Sequence, residues 1–114
     1  MATYTVYHNP RCSKSRLALK YLEEKGESFQ TVEYLKNLPS KEEMKEVLNK
    51  LNIPAESLLR KNEADFKENY KGKDLTDDEW IDAMLKFPKM IERPIVIKGN
   101  KAVVARPTEE IDNL

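Results

Sequence analysis

The first 33 residues follow the order strand, helix, strand, and this order constrains the fold more than any other feature of the chain. Residues 3–8 alternate β-branched and aromatic side chains like a strand. Residues 13–25 carry apolar side chains at helical spacing and end at Gly26, a typical helix stop. Residues 28–33 alternate again. A β-α-β unit implies a right-handed crossover and a parallel pair of strands, so the chain begins as an α/β fold.

The middle of the chain is predicted to be helical. Two capping boxes, in which Ser or Thr is followed three residues later by Glu, precede apolar-periodic runs. These boxes are Ser40 with Glu43 and Thr76 with Glu79. Pro54 can open a short helical turn between them, whereas residues 63–75 are polar and predict a loop or a short, weakly packed helix. Trp80 is predicted to pack in the core.

The last part of the chain predicts a β-hairpin and a final short helix. Residues 95–98 and 102–105 are strand-like and flank Gly99-Asn100, a two-residue turn signal. Pro107 then favours a short helix.

The order of these elements predicts the architecture. The 114 residues are enough for one domain with a single core. We predict an α/β domain over residues 1–114, built on a four-stranded mixed sheet. The central helices would form an insertion, at about residues 38–90, between the two halves of the sheet.

The charge balance excludes several classes of partner. Lys and Arg total 20, Asp and Glu total 20, and the net charge is zero, so nothing argues for nucleic-acid binding. No apolar run approaches a membrane span, and the first residues lack the pattern of a signal peptide. A single cysteine cannot form an internal disulfide, which fits a reducing compartment. We therefore expect a soluble, cytoplasmic monomer without nucleic-acid or membrane partners.

That single cysteine, Cys12, lies where a reactive thiol would be placed. It follows the first strand and a short loop and comes directly before the first helix. A helix N-terminus offers free backbone N–H groups and the positive end of the dipole. Nearby Arg11, Lys14 and Arg16 add positive charge. These conditions lower a thiol pKa from about 8.5 toward about 3.5–7.5. The alternative is a small apolar core residue, because free cysteine is often buried.

The residues around Cys12 decide between thiol chemistries. A thioredoxin-like Cys-x-x-Cys site is absent, because position 15 is Ser15 and position 9 is Asn9. A phosphatase-type Cys-x5-Arg loop would need arginine at position 18, which is Ala18. Cys12 and the lone His8 are too few ligands for a metal site. If Cys12 does redox work, the second thiol must come from another molecule.

Three arginines are candidates for binding an oxyanion. Arg93 and Arg106 each precede a proline at the edge of a strand, which restricts the backbone at both positions. Arg60 follows an apolar pair. Guanidinium groups recognise tetrahedral oxyanions through paired hydrogen bonds. The three side chains could instead be ordinary surface arginines, and their spacing alone does not prove that they meet at Cys12.

Five segments spread over almost the whole chain carry a recognisable pattern. They are His8-Asn9-Pro10-Arg11-Cys12-Ser13-Lys14-Ser15-Arg16, Leu58-Leu59-Arg60-Lys61-Asn62, Leu75-Thr76-Asp77-Asp78, Glu92-Arg93-Pro94-Ile95-Val96 and Arg106-Pro107. In this order they resemble the glutaredoxin-linked arsenate reductase (ArsC) family. The Cys-Ser-Lys-Ser-Arg form of the loop and the early end at Leu114 are typical of a short subfamily.

The resemblance implies a fold, a reaction and roles for particular residues. The fold would be thioredoxin-like with a helical insertion, and Cys12 would be the nucleophile that attacks arsenate. Three arginines would bind the arsenic oxyanion: Arg60, Arg93 and Arg106. His8 would help to keep Cys12 ionised, Ser15 would support the thiolate through its hydroxyl, and Pro94 would follow a cis peptide bond.

The resemblance also implies the reaction partners. Arsenate or a similar oxyanion would be reduced to arsenite without a bound cofactor. Glutathione would act as the external thiol reductant and a glutaredoxin would complete the cycle.

Two other functions remain open at this point. The same family fold includes Spx-type regulators, which bind the RNA polymerase α subunit and often sense oxidation through Cys-x-x-Cys. Ser15 removes that switch here. The second alternative is a thiol-transfer protein with another substrate, such as glutathionylated proteins.

Overall fold

Four short strands form one sheet in the computed structural model, which describes residues 3–114. The strands are β1 (Tyr4–Tyr7), β2 (Phe29–Val32), β3 (Ile95–Lys98) and β4 (Lys101–Val104). Their order across the sheet is β2-β1-β3-β4. β1 pairs parallel with β2 and antiparallel with β3, and β3 pairs antiparallel with β4. This mixed sheet confirms the predicted α/β, thioredoxin-like fold.

The first helix, α1 (Ser13–Glu24), joins the two parallel strands. It ends before Gly26, whose φ of 71° lies in the left-handed region that glycine adopts without strain. Its buried residues Ala18 and Leu22 share one apolar cluster with Val6 of β1 and Val96 of β3. Because this face of α1 packs on the two central strands, the start of the helix is anchored close to the end of β1.

The β3–β4 hairpin turns where the sequence predicts. Lys98 pairs with Lys101, which leaves a two-residue turn, and Gly99 has a φ of 59° that such turns require. The second strand of the hairpin, β4, therefore begins at Lys101, one residue earlier than predicted. The peptide bond before Pro94 is cis, as predicted, and the bond before Pro107 is also cis, which was not predicted.

The predicted final helix is a 3-10 helix, Thr108–Asn113. Ile111 is 2% exposed and joins the apolar cluster of the sheet. Asp112 accepts a hydrogen bond from the Tyr21 hydroxyl at 2.8 Å and forms an ion pair with Lys25 at 2.7 Å. Because the ion pair is exposed, burial of Ile111 contributes more to holding this segment against α1.

Residues 38–92 form a separate compact unit of helices. They are α2 (Lys41–Leu51), α3 (Ala64–Asn69) and α4 (Asp77–Lys86), with 3-10 turns at Ala55–Leu58 and Pro88–Met90. Both predicted capping boxes are present, at the starts of α2 and α4. Trp80 is 2% exposed and stacks on Phe66 of α3 with ring centroids 6.1 Å apart. The core position of Trp80 is thus confirmed, and a short helix forms within the polar segment 63–75.

The sheet belongs to the other unit, which comprises the residues up to Asn37 together with Arg93–Leu114. The second unit, residues 38–92, coincides closely with the insertion predicted at about residues 38–90. That the two units make one domain stays a prediction. Within residues 3–114, no helix combines the length and the apolar character needed to span a membrane.

Candidate active site

Cys12 is the N-cap residue of α1. Its backbone is extended, with φ −95° and ψ 122°, and its carbonyl accepts the first helical hydrogen bond from the Arg16 N–H at 3.1 Å. The thiol is partly exposed. A partly exposed sulfur at a helix start meets the backbone N–H groups of the first turn, which have no partner within the helix. Cys12 therefore does not behave as an enclosed core residue.

The loop that presents the thiol is held by its own hydrogen bonds. The Asn9 carbonyl accepts from the Cys12 N–H at 2.9 Å, and the Asn9 side-chain oxygen accepts from the Arg11 N–H at 3.0 Å. The Asn9 N–H donates to the Ser15 hydroxyl at 3.4 Å. Asn9 and Ser15 are both buried. The position of the thiol is thus set by the loop before any ligand arrives.

The surroundings of Cys12 favour the thiolate. Burial alone would raise the pKa of the thiol, but other contacts outweigh burial and lower this pKa to about 7. These contacts are hydrogen bonds from the backbone N–H groups of Ser15 and Lys14 and from the Arg93 side chain. The basic side chains of the loop contribute less than these contacts. A thiol with a pKa near 7 is about half ionised at neutral pH.

Two of the three predicted arginines meet at this sulfur. The Arg93 side chain hydrogen-bonds to Cys12, and the Arg106 Nη2 atom lies 3.8 Å from the Cys12 Sγ atom. Arg106 also donates from Nε to the Arg93 carbonyl at 2.7 Å. Burial opposes the charge of Arg93, but its contacts with Cys12 and Tyr34 raise its pKa above the ordinary value. Two fixed guanidinium groups beside a thiolate can receive an anion that the sulfur attacks.

Arg60 lies in the second unit, where its backbone is held by a hydrogen bond to another segment of that unit. Its N–H donates to the Met90 carbonyl at 2.7 Å. The guanidinium pairs with Glu63 at 3.1 Å and with Glu92 at 3.6 Å. These ion pairs are the contacts the structure gives it, so the predicted role of Arg60 in oxyanion binding stays a prediction.

His8 and Ser15 are both buried near the thiol loop. Burial lowers the pKa of His8, against the opposing charge of Glu33, so the imidazole is neutral at pH 7. A neutral ring brings no positive charge to a thiolate. The Ser15 hydroxyl accepts from Asn9, and it is the Ser15 backbone N–H that contacts Cys12. The predicted roles of both side chains stay predictions.

Tyr34 is a residue at this site that the sequence analysis did not single out. It is fully buried and contacts the side chain of Arg93. A signal for it was present, because Tyr34 follows β2 as Cys12 follows β1. The carboxyl ends of parallel strands lie at one edge of a sheet, where sites commonly form.

The lowered thiol pKa can be measured directly. We expect the rate of Cys12 alkylation by iodoacetamide to rise with pH through about 7 and to level off above it, because the thiolate is the reacting form. Thiolate absorbance should follow the same curve. A midpoint at or above about 8.5, the value of an ordinary thiol, would contradict activation.

Among residues 3–114, no group of three His, Cys, Asp or Glu side chains is arranged to hold a metal ion.

Known proteins resemble this chain over nearly its full length. The model of the ArsC family matches residues 7–114. An arsenate reductase from Neisseria meningitidis is 40% identical over 114 residues, which is 98% of this chain and 97% of that protein. An arsenate reductase from Escherichia coli is 36% identical over 112 residues, which is 97% of this chain and 79% of that protein.

A solved structure agrees with these sequence matches. The arsenate reductase from Vibrio cholerae superposes with a TM-score of 0.93 at 38% identity, covering 98% of this chain and 97% of its own. The similarity therefore spans the residues of both units.

Proposed function

Because this chain belongs to the ArsC family, we propose that it reduces arsenate, or a closely similar oxyanion, with Cys12 as the nucleophile. The observation that carries the proposal is the sulfur itself. Cys12 has a pKa of about 7 and is contacted by the guanidinium groups of Arg93 and Arg106. The relatives named arsenate reductase support arsenate as the substrate.

The first step forms a bond between sulfur and arsenic. The Cys12 thiolate attacks arsenic, one As–O bond breaks, and the protonated oxygen leaves as water. Arsenic stays in the As(V) state. Arg93 and Arg106 donate hydrogen bonds to the remaining oxygens, and Arg60 would complete the set if it reaches the same anion. Such donors act because they are already in place when charge builds up on oxygen.

The later steps need thiols from outside the chain, since residues 3–114 contain Cys12 as their sole cysteine. Glutathione displaces a second oxygen as water and leaves arsenic bonded to both sulfurs. A glutaredoxin thiol then attacks the glutathione sulfur and forms a disulfide. The electron pair of the broken S–As bond passes to arsenic, which becomes As(III). Water cleaves the remaining S–As bond, which releases arsenite and restores Cys12.

The proposed function is tested by a coupled assay. Arsenate-dependent oxidation of NADPH is followed with glutathione, glutaredoxin and glutathione reductase present. We expect turnover that requires each of the two thiol components. Omission of arsenate and omission of glutaredoxin are the matched controls. Sustained arsenate reduction without any added thiol would overturn the mechanism.

The dependence on an outside thiol predicts a specific intermediate. When arsenate and glutathione are supplied without glutaredoxin, intact mass measurement should find one arsenic and one glutathione bound per chain, with the arsenic bridging the Cys12 and glutathione sulfurs. Its loss should require a further thiol rather than time alone, because the bond is broken by exchange. The Cys12→Ser protein should carry none. If glutathione binds to Cys12 but arsenate is not reduced, Cys12 would still be a reactive thiol, and the protein would be assigned to thiol transfer instead.

A further inference from the structure

Asn9 is a buried polar residue that closes the turn leading to the thiol. It is 8% exposed. Its side-chain oxygen accepts from the Arg11 N–H at 3.0 Å, and its carbonyl accepts from the Cys12 N–H at 2.9 Å. Pro10 lies between them, at the turn position that proline favours, and has no N–H of its own. Asn9 alone therefore accepts both N–H groups of the segment 10–12.

The same residue ties this turn to its surroundings. The Asn9 N–H donates to the Ser15 hydroxyl at 3.4 Å, and Ser15 is fully buried in the first turn of α1. Just before it, the His8 N–H donates to the carbonyl of Val32 in β2 at 2.9 Å. Buried hydrogen bonds meet little competition from water. The turn is thus attached both to the sheet and to the helix whose first residues surround the sulfur.

The type of acceptor matters because Asn9 lies three residues before a thiolate. Aspartate closes the same kind of turn as asparagine, and a helix start favours negative charge. The helices α2 and α4 both carry acidic residues in their first turn. α1 carries none there, and residues 3–22 contain neither Asp nor Glu. A carboxylate in this segment would oppose ionisation of the thiol, whereas an amide supplies an acceptor without charge.

Basic side chains surround Cys12. Arg93 and Arg106 contact the sulfur from the segments next to β3 and β4, and Arg11, Lys14 and Arg16 lie beside it in sequence. His8, at the end of β1, is neutral at pH 7. A carboxylate at position 9 would cancel part of this positive charge.

We propose that Asn9 is a positioning residue, which closes the loop that carries Cys12 and, as a neutral amide, does so without placing negative charge beside the thiolate. Its side chain bonds to the loop backbone and acts on the thiol through that backbone. The effect on the thiol stands without the proposed function, whereas the effect on arsenate turnover rests on it.

The first test is Asn9→Asp, which keeps the shape and the acceptor but adds a charge. We expect the Cys12 pKa, measured by iodoacetamide alkylation against pH, to rise by roughly half a unit to one unit, as a nearby charge does to a partly exposed group. Gln30→Glu is the matched control, because it makes the same chemical change on an exposed residue of β2. An unchanged thiol pKa in Asn9→Asp would overturn the proposal.

The second test removes the acceptor and then restores it. Asn9→Ala should raise the thiol pKa and speed amide hydrogen exchange of Arg11 by roughly threefold to tenfold, because one net hydrogen bond is lost. Asn9→Ser should return both values toward wild type, since a serine hydroxyl closes such turns more weakly. Melting curves show which variants fold. If Asn9→Ala does not fold, the serine variant decides, and wild-type exchange together with a wild-type pKa in Asn9→Ala would overturn the positioning role.

A kinetic measurement covers the part that rests on the proposed function. Because the wild-type thiol has a pKa of about 7, the shift expected in Asn9→Asp lowers the thiolate fraction at pH 7 by roughly twofold to fivefold. Arsenate turnover should fall by the same factor and recover as the pH is raised. A loss of equal size at every pH would contradict this part. If the wild-type protein does not reduce arsenate, the proposed function fails, and alkylation still decides the role of Asn9.

Discussion

Arsenate turnover falls to background in Cys12→Ser, and this is the largest effect expected of any single substitution. A serine hydroxyl stays protonated at neutral pH and cannot attack arsenic as the thiolate does. Removal of a nucleophile from a site of this kind lowers turnover by on the order of 10⁴ or more. The coupled NADPH assay measures the loss.

The same variant separates chemistry from folding. Cys12 is only partly buried, so a serine of nearly the same size should leave the fold and its thermal unfolding intact. Circular dichroism and a melting curve are the controls. Turnover above one part in a hundred of wild type, in a folded Cys12→Ser protein, would show that another group carries the reaction.

The second largest effect is expected from Arg93→Lys and Arg106→Lys. Lysine keeps the charge but loses the planar pair of donors that matches an oxyanion. Loss of one preorganised donor costs roughly 10²–10³ in turnover. Glutamine at the same positions removes the charge as well. Equal losses with lysine and glutamine would show that donor geometry matters, and near wild-type turnover with lysine would reduce both residues to charge carriers.

Arg60 can be tested in the same series. If it binds the same anion, Arg60→Lys should lower turnover as strongly as the other two substitutions. Its neighbour Lys61, which is exposed and pairs with Glu56 at 2.9 Å, offers the matched control as Lys61→Gln. An Arg60→Lys protein as active as the Lys61→Gln protein would confine Arg60 to its ion pairs.

The secondary structure was predictable because its signals are local. A capping box such as Ser40 with Glu43 satisfies helix-end groups within four residues, and a Gly-Asn turn joins strands that are already neighbours. The β-α-β start also determines which strands run parallel. The sequence predicted a short last helix but not its 3-10 form, in which Ile111 is buried in the apolar cluster of the sheet.

The site was predictable in its residue types but not in its contacts. The prolines after Arg93 and Arg106 indicated restricted arginines, but their meeting at Cys12 depends on the pairing of β1 with β3. The neutral state of His8 follows from burial, which is a property of the packed chain. Tyr34 was missed because a lone tyrosine after a strand is more often simply part of a core.

The separation of Cys12 and Arg106 in sequence affects the state of the thiol while the chain is being synthesised. These residues touch although they are 94 positions apart in sequence. During synthesis Cys12 emerges early, long before Arg93, whose side chain helps to lower the thiol pKa, and a helix start without its sheet gives the thiol little support. We therefore expect the thiol of the nascent chain to be mostly protonated and to react slowly with oxidants. We expect the reactive Cys12 thiolate to form only after β1 pairs with β3, so folding would protect the thiol from oxidation during synthesis.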